Sequence, residues 1–338
     1  MDIENPAELV AYLRARGAID PNEAPRCETL YGGVSNRAVC VERANGDSWV
    51  IKQALSQLRV EVEWFSSPER IHREAAGLRR LAELAPTGTT TPFLFEDETE
   101  KLLAMEAVPK PHANWKQLLL AGQLVEDHVE QFGRLLATVG RAASQRADEL
   151  ALEFADRSFF ETLRLEPYYS YAAEQVPRAA PFLQGLIEET RSYSLTLVHG
   201  DYSPKNVLIH EGRLVLLDHE VIHWGDPAFD LGFSLTHFLS KAHHLPSQRE
   251  AFAAAAVHYF EAYLEELGAV PWRDALEERS VRHTLACLLA RVAGRSPLEY
   301  LSEEERTHQR NVVVPLMEQP PPGIASLAAA FVDALNGE

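Results

Sequence analysis

Two stretches of this sequence carry the residue types that chemistry on a phosphate group needs. In Leu197-Val198-His199-Gly200-Asp201-Tyr202-Ser203-Pro204-Lys205-Asn206-Val207-Leu208, a carboxylate is followed five positions later by an amide, between two apolar runs. Twelve residues beyond Asn206, the strand-like run 213–217 gives way to Asp218. An attacking hydroxyl needs a carboxylate to orient it and accept its proton, and a divalent ion bridging nucleotide phosphates needs hard oxygen ligands. Asp201 suits the first task, and Asn206 with Asp218 suits the second.

Such a site needs a second half that grips the nucleotide, and the amino-terminal third supplies its parts. Gly32-Gly33-Val34-Ser35-Asn36 falls in a turn between strand-like runs, where missing side chains let backbone N–H groups approach phosphate. Lys52 ends the strand after the Asn45-Gly46 turn, and Glu74 lies in the stripe-bearing helix between Ile71 and Leu78. A Lys52–Glu74 pair would aim the ammonium at the α/β-phosphates. Met105-Glu106-Ala107-Val108 closes the last strand of this region, and the backbone groups of Glu106 and Val108 are placed to meet a base edge.

The elements that position these residues follow from periodicity. Residues 7–16 read as a short amphipathic helix, and 27–53 as an antiparallel ribbon with a hairpin at Asn45-Gly46. Over 68–84, Ile71, Ala75, Leu78, Leu81 and Leu84 recur in steps of four and three, one stripe of a helix. Two more strands are expected at 92–96 and 102–108. The prolines of Pro109-Lys110-Pro111 then break all periodicity. The expected division is a nucleotide-binding lobe over 1–108, a hinge over 109–115 and a catalytic and acceptor-binding lobe over 116–338. Helices are expected at about 116–145, 158–165, 181–193, 227–242, 247–267, 272–294 and 324–336, with 197–217 β-like.

Composition bounds the partners. The chain has 338 residues, 46% of them hydrophobic, enough to bury the core of one large domain or two modest ones. With 32 Lys+Arg against 50 Asp+Glu the formal net charge is -18, which lacks the counter-charge that a nucleic acid backbone requires. An acidic surface suits solubility, and it also leaves room for a cationic substrate. Cys27, Cys40 and Cys287 form no C-x-x-C pair, the first residues lack a signal-peptide pattern, and no run approaches the roughly 18 apolar residues of a membrane span. A cytoplasmic protein without membrane or nucleic acid partners is expected. Oligomeric state is not legible.

The Asp201-to-Asn206 spacing is that of the protein-kinase template H-R-D-L-x-x-x-N, with its metal-binding Asp further along. The ordered set His199-Gly200-Asp201 with Asn206, Leu217-Asp218-His219-Glu220, and Gly225-Asp226-Pro227-Ala228-Phe229-Asp230-Leu231 resembles the aminoglycoside phosphotransferase and choline kinase family of small-molecule kinases. The resemblance covers residues 29 to about 240. It implies an α+β, two-lobed protein-kinase-like fold with a small antiparallel sheet and one main helix in the first lobe and a larger, mostly helical second lobe. It also implies ATP, or GTP, between the lobes, Mg²⁺ on Asn206 and Asp218, and Asp201 as catalytic base. Asp226 and Asp230 match acids that brace the loop. The phosphate loop departs from G-x-G-x-x-G, and no D-F-G or A-P-E is present. Only seven residues, 219–225, separate Asp218 from Asp226, too few for a peptide platform, so the expected acceptor is the hydroxyl of a small molecule.

Other readings stand beside this one. His219-Glu220-Val221-Ile222-His223 spells H-E-x-x-H, which would make a zinc hydrolase if it lay on a helix, with His219 and His223 as ligands and Glu220 as base. A kinase-like module that binds nucleotide without turnover is the non-enzyme alternative. Tyr168, Tyr169 and Tyr171 either face an acceptor or belong to the core. Glu303-Glu304-Glu305 either line a cationic pocket or open a helix. Lys205 either touches the γ-phosphate or points to solvent.

Overall fold

The computed structural model describes all residues except Gly32, Val34, 60–63 and Glu338. Helix α1 (Pro6–Ala15) starts on Asn5, whose side chain caps the amides of Ala7 and Glu8. Strands β1 (Arg26–Thr29), β2 (Asn36–Glu42) and β3 (Ser48–Ala54) form the expected ribbon, with Gly46 at φ 94° in its turn. After α2 (Arg70–Leu84), β4 (Phe93–Asp97) and β5 (Leu102–Glu106) complete an antiparallel sheet ordered β1-β2-β3-β5-β4.

Alternation along the strands decides what each face of the sheet meets. Val39, Val41, Trp49, Ile51, Leu102 and Ala104 cover one face and pack with Leu9 and Leu13 of α1. Leu103 and Met105 point the other way, onto Ile71, Ala75 and Leu78 of α2. Lys52, between Ile51 and Gln53, therefore belongs to the α2 face.

The chain continues through β6 (His112–Asn114), α3 (Trp115–Leu120), α4 (Glu126–Ser144), α5 (Ala147–Glu153) and α6 (Ser158–Phe160) into a π-helical stretch, Glu161–Ser170. Then follow α7 (Tyr171–Gln175), α8 (Ala180–Ser192), β7 (Thr196–Val198), β8 (Val207–His210), β9 (Arg213–Leu216) and β10 (His223–Gly225). Five long helices close the fold: α9 (Ala228–His244), α10 (Arg249–Leu267), α11 (Leu276–Ala293), α12 (Glu303–Glu318) and α13 (Ile324–Asn336). The expected two-lobed α+β kinase-like architecture holds. No helix among the described residues is long and apolar enough to cross a membrane.

Several local expectations are corrected. The helix expected over 116–145 is two helices, broken where Gly122 takes φ 75°. Residues 112–114, inside the expected hinge, pair with β8 and are thereby tied to the helical part. Strand β10 and helix α5 were not among the expected elements, and of the two readings of Glu303-Glu304-Glu305 the structure gives the helix start. Ser302 and Glu305 form a capping box at the start of α12, which explains its acidic first turn.

Helix α9 is the axis of the carboxy-terminal part. Every residue from Ala228 to His243 is buried, so its packing cannot be read from an amphipathic stripe. Close approach of α11 is possible because Gly232 has no side chain: a Cβ there would sit 2.4 Å from His283 Cβ and 2.7 Å from the Thr284 backbone nitrogen. Gly232→Ala should therefore destabilise the fold by about 1–3 kcal/mol, the usual range for overpacking. Urea unfolding checks this, and an unchanged midpoint would show that the two helices separate freely.

Candidate functional site

The two halves of the structure meet at Lys52. Its Nζ donates to Glu74 Oε1 at 2.6 Å and to Asp218 Oδ1 at 2.8 Å. Strand alternation brings the lysine to the α2 face, and Glu74, fully buried, stands in the apolar stripe of that helix. Asp218 follows β9 in the left-handed region, φ 69°, a conformation that costs energy for a residue with a Cβ. Burial pulls the Lys52 pKa down, but the Asp218 and Glu74 charges outweigh it and the net shift is upward. Asp218 is held well below the usual carboxylate range, because Lys52 overcomes its burial. Glu74 is pushed up to about 7, chiefly by burial.

The loop carrying Asp201 is clamped from beneath. Asp230, at the start of α9, accepts the backbone N–H of His199 at 2.6 Å and of Gly200 at 2.8 Å. Gly200 has φ 78°, and a Cβ there would lie 2.9 Å from the Val221 carbonyl, so no other residue fits without displacement. Asn206 Nδ2 donates to the Asp201 carbonyl at 3.0 Å and to its Oδ2 at 2.7 Å. The Asp201 N–H donates to His199 Nδ1 at 3.1 Å. The His199 pKa is pushed down to about 4 by burial, so the ring is a neutral brace. Asp226 pairs with Arg279 at 2.9 Å in the core.

Two arginines that were not among the sequence candidates complete the arrangement. Arg164, buried in the π-helical stretch, donates to the Gly200 carbonyl at 2.6 Å and lies 3.1 Å from Asp201 Oδ2. Lys205 lies 3.8 Å from the same oxygen, with its side chain 46% exposed. Burial raises the Asp201 pKa, but Arg164, Lys205 and the Asn206 hydrogen bond bring it below the ordinary value. Arg70, fully buried at the start of α2, donates to Glu220 Oε2 at 3.1 Å, to the Leu55 carbonyl at 2.8 Å and to the Ser35 carbonyl. Its position four residues before Glu74, on the same helix face, was the available signal.

The remaining sequence candidates fall as follows. Gly33, Ser35 and Asn36 lie in the β1–β2 connection and the start of β2, while Gly32 lies outside the described residues. Asn36 Nδ2 donates to Glu220 Oε2 at 3.0 Å, joining this loop to the Asp218 loop. Glu106 ends β5 and spends its N–H on the Pro92 carbonyl at 2.9 Å, and Val108 is buried just beyond it.

The H-E-x-x-H reading is not supported. His219 lies in a loop and His223 in β10, with its Nδ1 on the Val221 carbonyl and its ring stacked 4.1 Å from Phe160. Among the described residues the acidic group close enough to share a cation is Glu74, Asp218 and Glu220, which includes neither histidine. Tyr169 belongs to the core, donating toward His283 at 2.8 Å, whereas Tyr168 lies beneath the Arg164 guanidinium at 5.6 Å.

A buried Lys–Glu pair in a small sheet lobe, facing an Asp–Asn loop and a following Asp, defines a kinase-type phosphotransferase site. A model of the phosphotransferase enzyme family matches residues 26–270, and the chain belongs to that family. It is a small-molecule kinase with an alcohol acceptor. It is 26% identical over 280 residues to the methylthioribose kinase of Pectobacterium atrosepticum, covering 74% of this chain and 68% of that one. The fold is shared with a choline/ethanolamine kinase family protein from Mesorhizobium loti, TM-score 0.56 at 17% identity, covering 96% of this chain and 99% of that one. It is also shared with a macrolide 2'-phosphotransferase from Brachybacterium faecium, TM-score 0.52 at 17% identity, covering 98% and 99%.

Removing the cation between Glu74 and Asp218 leaves a buried acid facing a partly exposed one. Lys52→Met should cost about 3 kcal/mol at pH 7. The sign with pH is distinctive. Glu74 then binds a proton when folded that it does not bind when unfolded, so the variant should recover stability as the pH falls from 8 to 5. Urea titrations across that range check it, and a deficit that grows toward pH 5 would contradict the arrangement.

Proposed function

We propose that this kinase transfers the γ-phosphate of ATP to a hydroxyl of a small metabolite or antibiotic, with Asp201 as the base. The observation that supports this best is the asymmetry of its carboxylate. Arg164, Asn206 and Lys205 all approach Oδ2, and among the described residues Oδ1 accepts no hydrogen bond. Oδ1 is thus the atom for the acceptor proton. The new bond forms between the acceptor oxygen and the γ-phosphorus, the bond from that phosphorus to the β,γ-bridging oxygen breaks, and ADP leaves with its electron pair. A carboxylate held strongly ionised is a weak base, which suits a loose transition state in which orientation matters more than proton transfer.

The donor set fits a hard divalent ion. Asn206 commits its Nδ2 to Asp201, which leaves its Oδ1 for a cation, and Asp218 Oδ2 accepts no hydrogen bond among the described residues. Asn206 and Asp218 would hold Mg²⁺, which supplies charge neutralisation on the phosphates when bound. Lys52, aligned by Glu74, would meet the α/β-phosphates. The Gly33–Asn36 loop would cover them, and the backbone of Glu106 and Val108 would receive the base. The short 219–225 connection runs straight into β10, which favours a small acceptor over a peptide.

Asp201→Asn should lower turnover by about 10²–10⁴-fold, and Asp218→Asn should do so at least as strongly, while both variants keep a nucleotide-induced rise in melting temperature. ADP release with ATP or GTP, against a panel that includes methylthioribose and aminoglycosides, measures this. Wild-type turnover in Asp201→Asn would remove the assigned base. Binding without turnover across the panel would favour the non-catalytic module.

A further inference from the structure

Helix α9 leads away from the catalytic loop toward a second cluster of charge. Asp230 grips the loop at its start, and Phe233, His237 and Lys241 continue along one face in steps of three and four. At 1.5 Å per residue, Lys241 lies about 16 Å from Asp230 along the axis.

Lys241 is fully buried. Its Nζ makes one hydrogen bond, to the His237 carbonyl at 3.2 Å, and lies 5.5 Å from the centre of the Tyr300 ring. Among the described residues no carboxylate pairs with it. Arg291 of α11 comes from the other side, with Nη1 on the Tyr168 hydroxyl at 3.1 Å and on Ser296, and with a buried Nε that has no partner. The Tyr300 hydroxyl is also buried without a partner. The nearby acids are already engaged: Glu299 with Lys116, and Glu305 with His244 and the cap of α12. Burial, reinforced by the Lys116 charge, pushes the Lys241 pKa down to about 7.

This cluster is one ring away from the reacting centre. Tyr168 carries the Arg291 guanidinium 5.6 Å from its centroid and the Arg164 guanidinium also at 5.6 Å, and Arg164 in turn holds Asp201. His237 feels the charges of Lys241, Arg291 and Lys116 together with Lys205, which neighbours Asp201. Buried donors without acceptors and a buried ammonium without a counter-charge are costly, and an anion supplies both missing terms.

We infer that this cluster of buried donors is an anion subsite for the acceptor, so that the hydroxyl phosphorylated at Asp201 belongs to a small molecule that also carries an anionic group held by Lys241, Arg291 and Tyr300. The inference rests on the kinase reading above and narrows its acceptor. The reaction itself is unchanged: the anionic group stays intact while the hydroxyl exchanges its proton for the γ-phosphoryl group.

The test uses the full chain with MgATP and matched acceptors: glycerate against glycerol, gluconate against glucitol, pantothenate against pantothenol, and glycerol 3-phosphate against glycerol, with methylthioribose and choline as uncharged and cationic references. At least one anionic member should be phosphorylated with kcat/KM tenfold or more above its partner, and the pair that responds separates a carboxylate from a phosphate ester. Lys241→Met should raise KM for that acceptor at least tenfold while KM for ATP moves less than twofold. Tyr300→Phe, a milder change that tests the site if Lys241→Met does not fold, should raise the acceptor KM about threefold. Equal use of both members, preference for the neutral or cationic compounds, no response to any anionic acceptor while ATP is still hydrolysed, or unaltered KM in both variants would each overturn the subsite and leave the kinase reading standing. Absence of any ATP turnover, or turnover unaffected by Asp201→Asn, would overturn both.

Discussion

The structure depends on one cation shared by two carboxylates. Lys52 comes from the sheet, Glu74 from α2 and Asp218 from the loop after β9, so a single ammonium fixes the sheet, its helix and the helical part relative to one another. Burying charge is expensive, and three charges with a net of minus one are not an efficient way to stabilise a fold. Their value lies in placement: the geometry leaves Asp218 ionised and Lys52 charged at the mouth of the cleft, where a nucleotide bearing several negative charges would meet them. Arg70 repeats the device one layer deeper, joining Glu220 to the carbonyls of Ser35 and Leu55.

The catalytic loop is held differently, by its backbone. Asp230 takes two amide protons from it, and Arg164 takes the Gly200 carbonyl, so both sides of the same turn are pinned by side chains from helical segments. A loop fixed through its main chain leaves the Asp201 side chain to be positioned by Asn206, Arg164 and Lys205, all on Oδ2. Left-handed backbone at both Gly200 and Asp218 accompanies the face-to-face approach of these two loops, and at Asp218 it is taken by a residue with a Cβ.

How much of this was legible depended on whether the deciding interaction was local. The Lys52–Glu74 pair was readable because the Asp201–Asn206 loop calls for a lysine and a partnering acid in the other half, and a strand end and the stripe-bearing helix offered one of each. The Asp201, Asn206 and Asp218 set was readable as an ordered motif. Arg164 was not, because a π-helical stretch shifts the facing residues away from the 3.6 period and its partner lies 37 positions later. The break at Gly122 was hidden because apolar residues continue on both sides of it. Strand β10 was hidden because three residues, His223 to Gly225, are too few to show alternation, and their pairing with β7 is what makes them a strand. The H-E-x-x-H string failed for the same reason: its meaning depends on a helix that the tertiary structure does not provide.

Net charge and the charges at the site differ in sign. The chain carries a formal charge of -18, yet Lys52, Lys205 and Arg164 gather on the Asp201 and Asp218 loops, and Arg291 and Lys241 lie beyond them toward the far end of α9. Overall charge is a property of the solvated surface, screened within about 8 Å at physiological ionic strength, and many of the acids sit there in pairs with surface arginines, as Glu149 does with Arg80 and Arg146. Inside the cleft, screening is weak and each group answers to its few neighbours. An acidic exterior therefore says little about the sign of the acceptor, and the groups that bear on it are the buried ones, such as Lys241, whose one hydrogen bond among the described residues is to the His237 carbonyl.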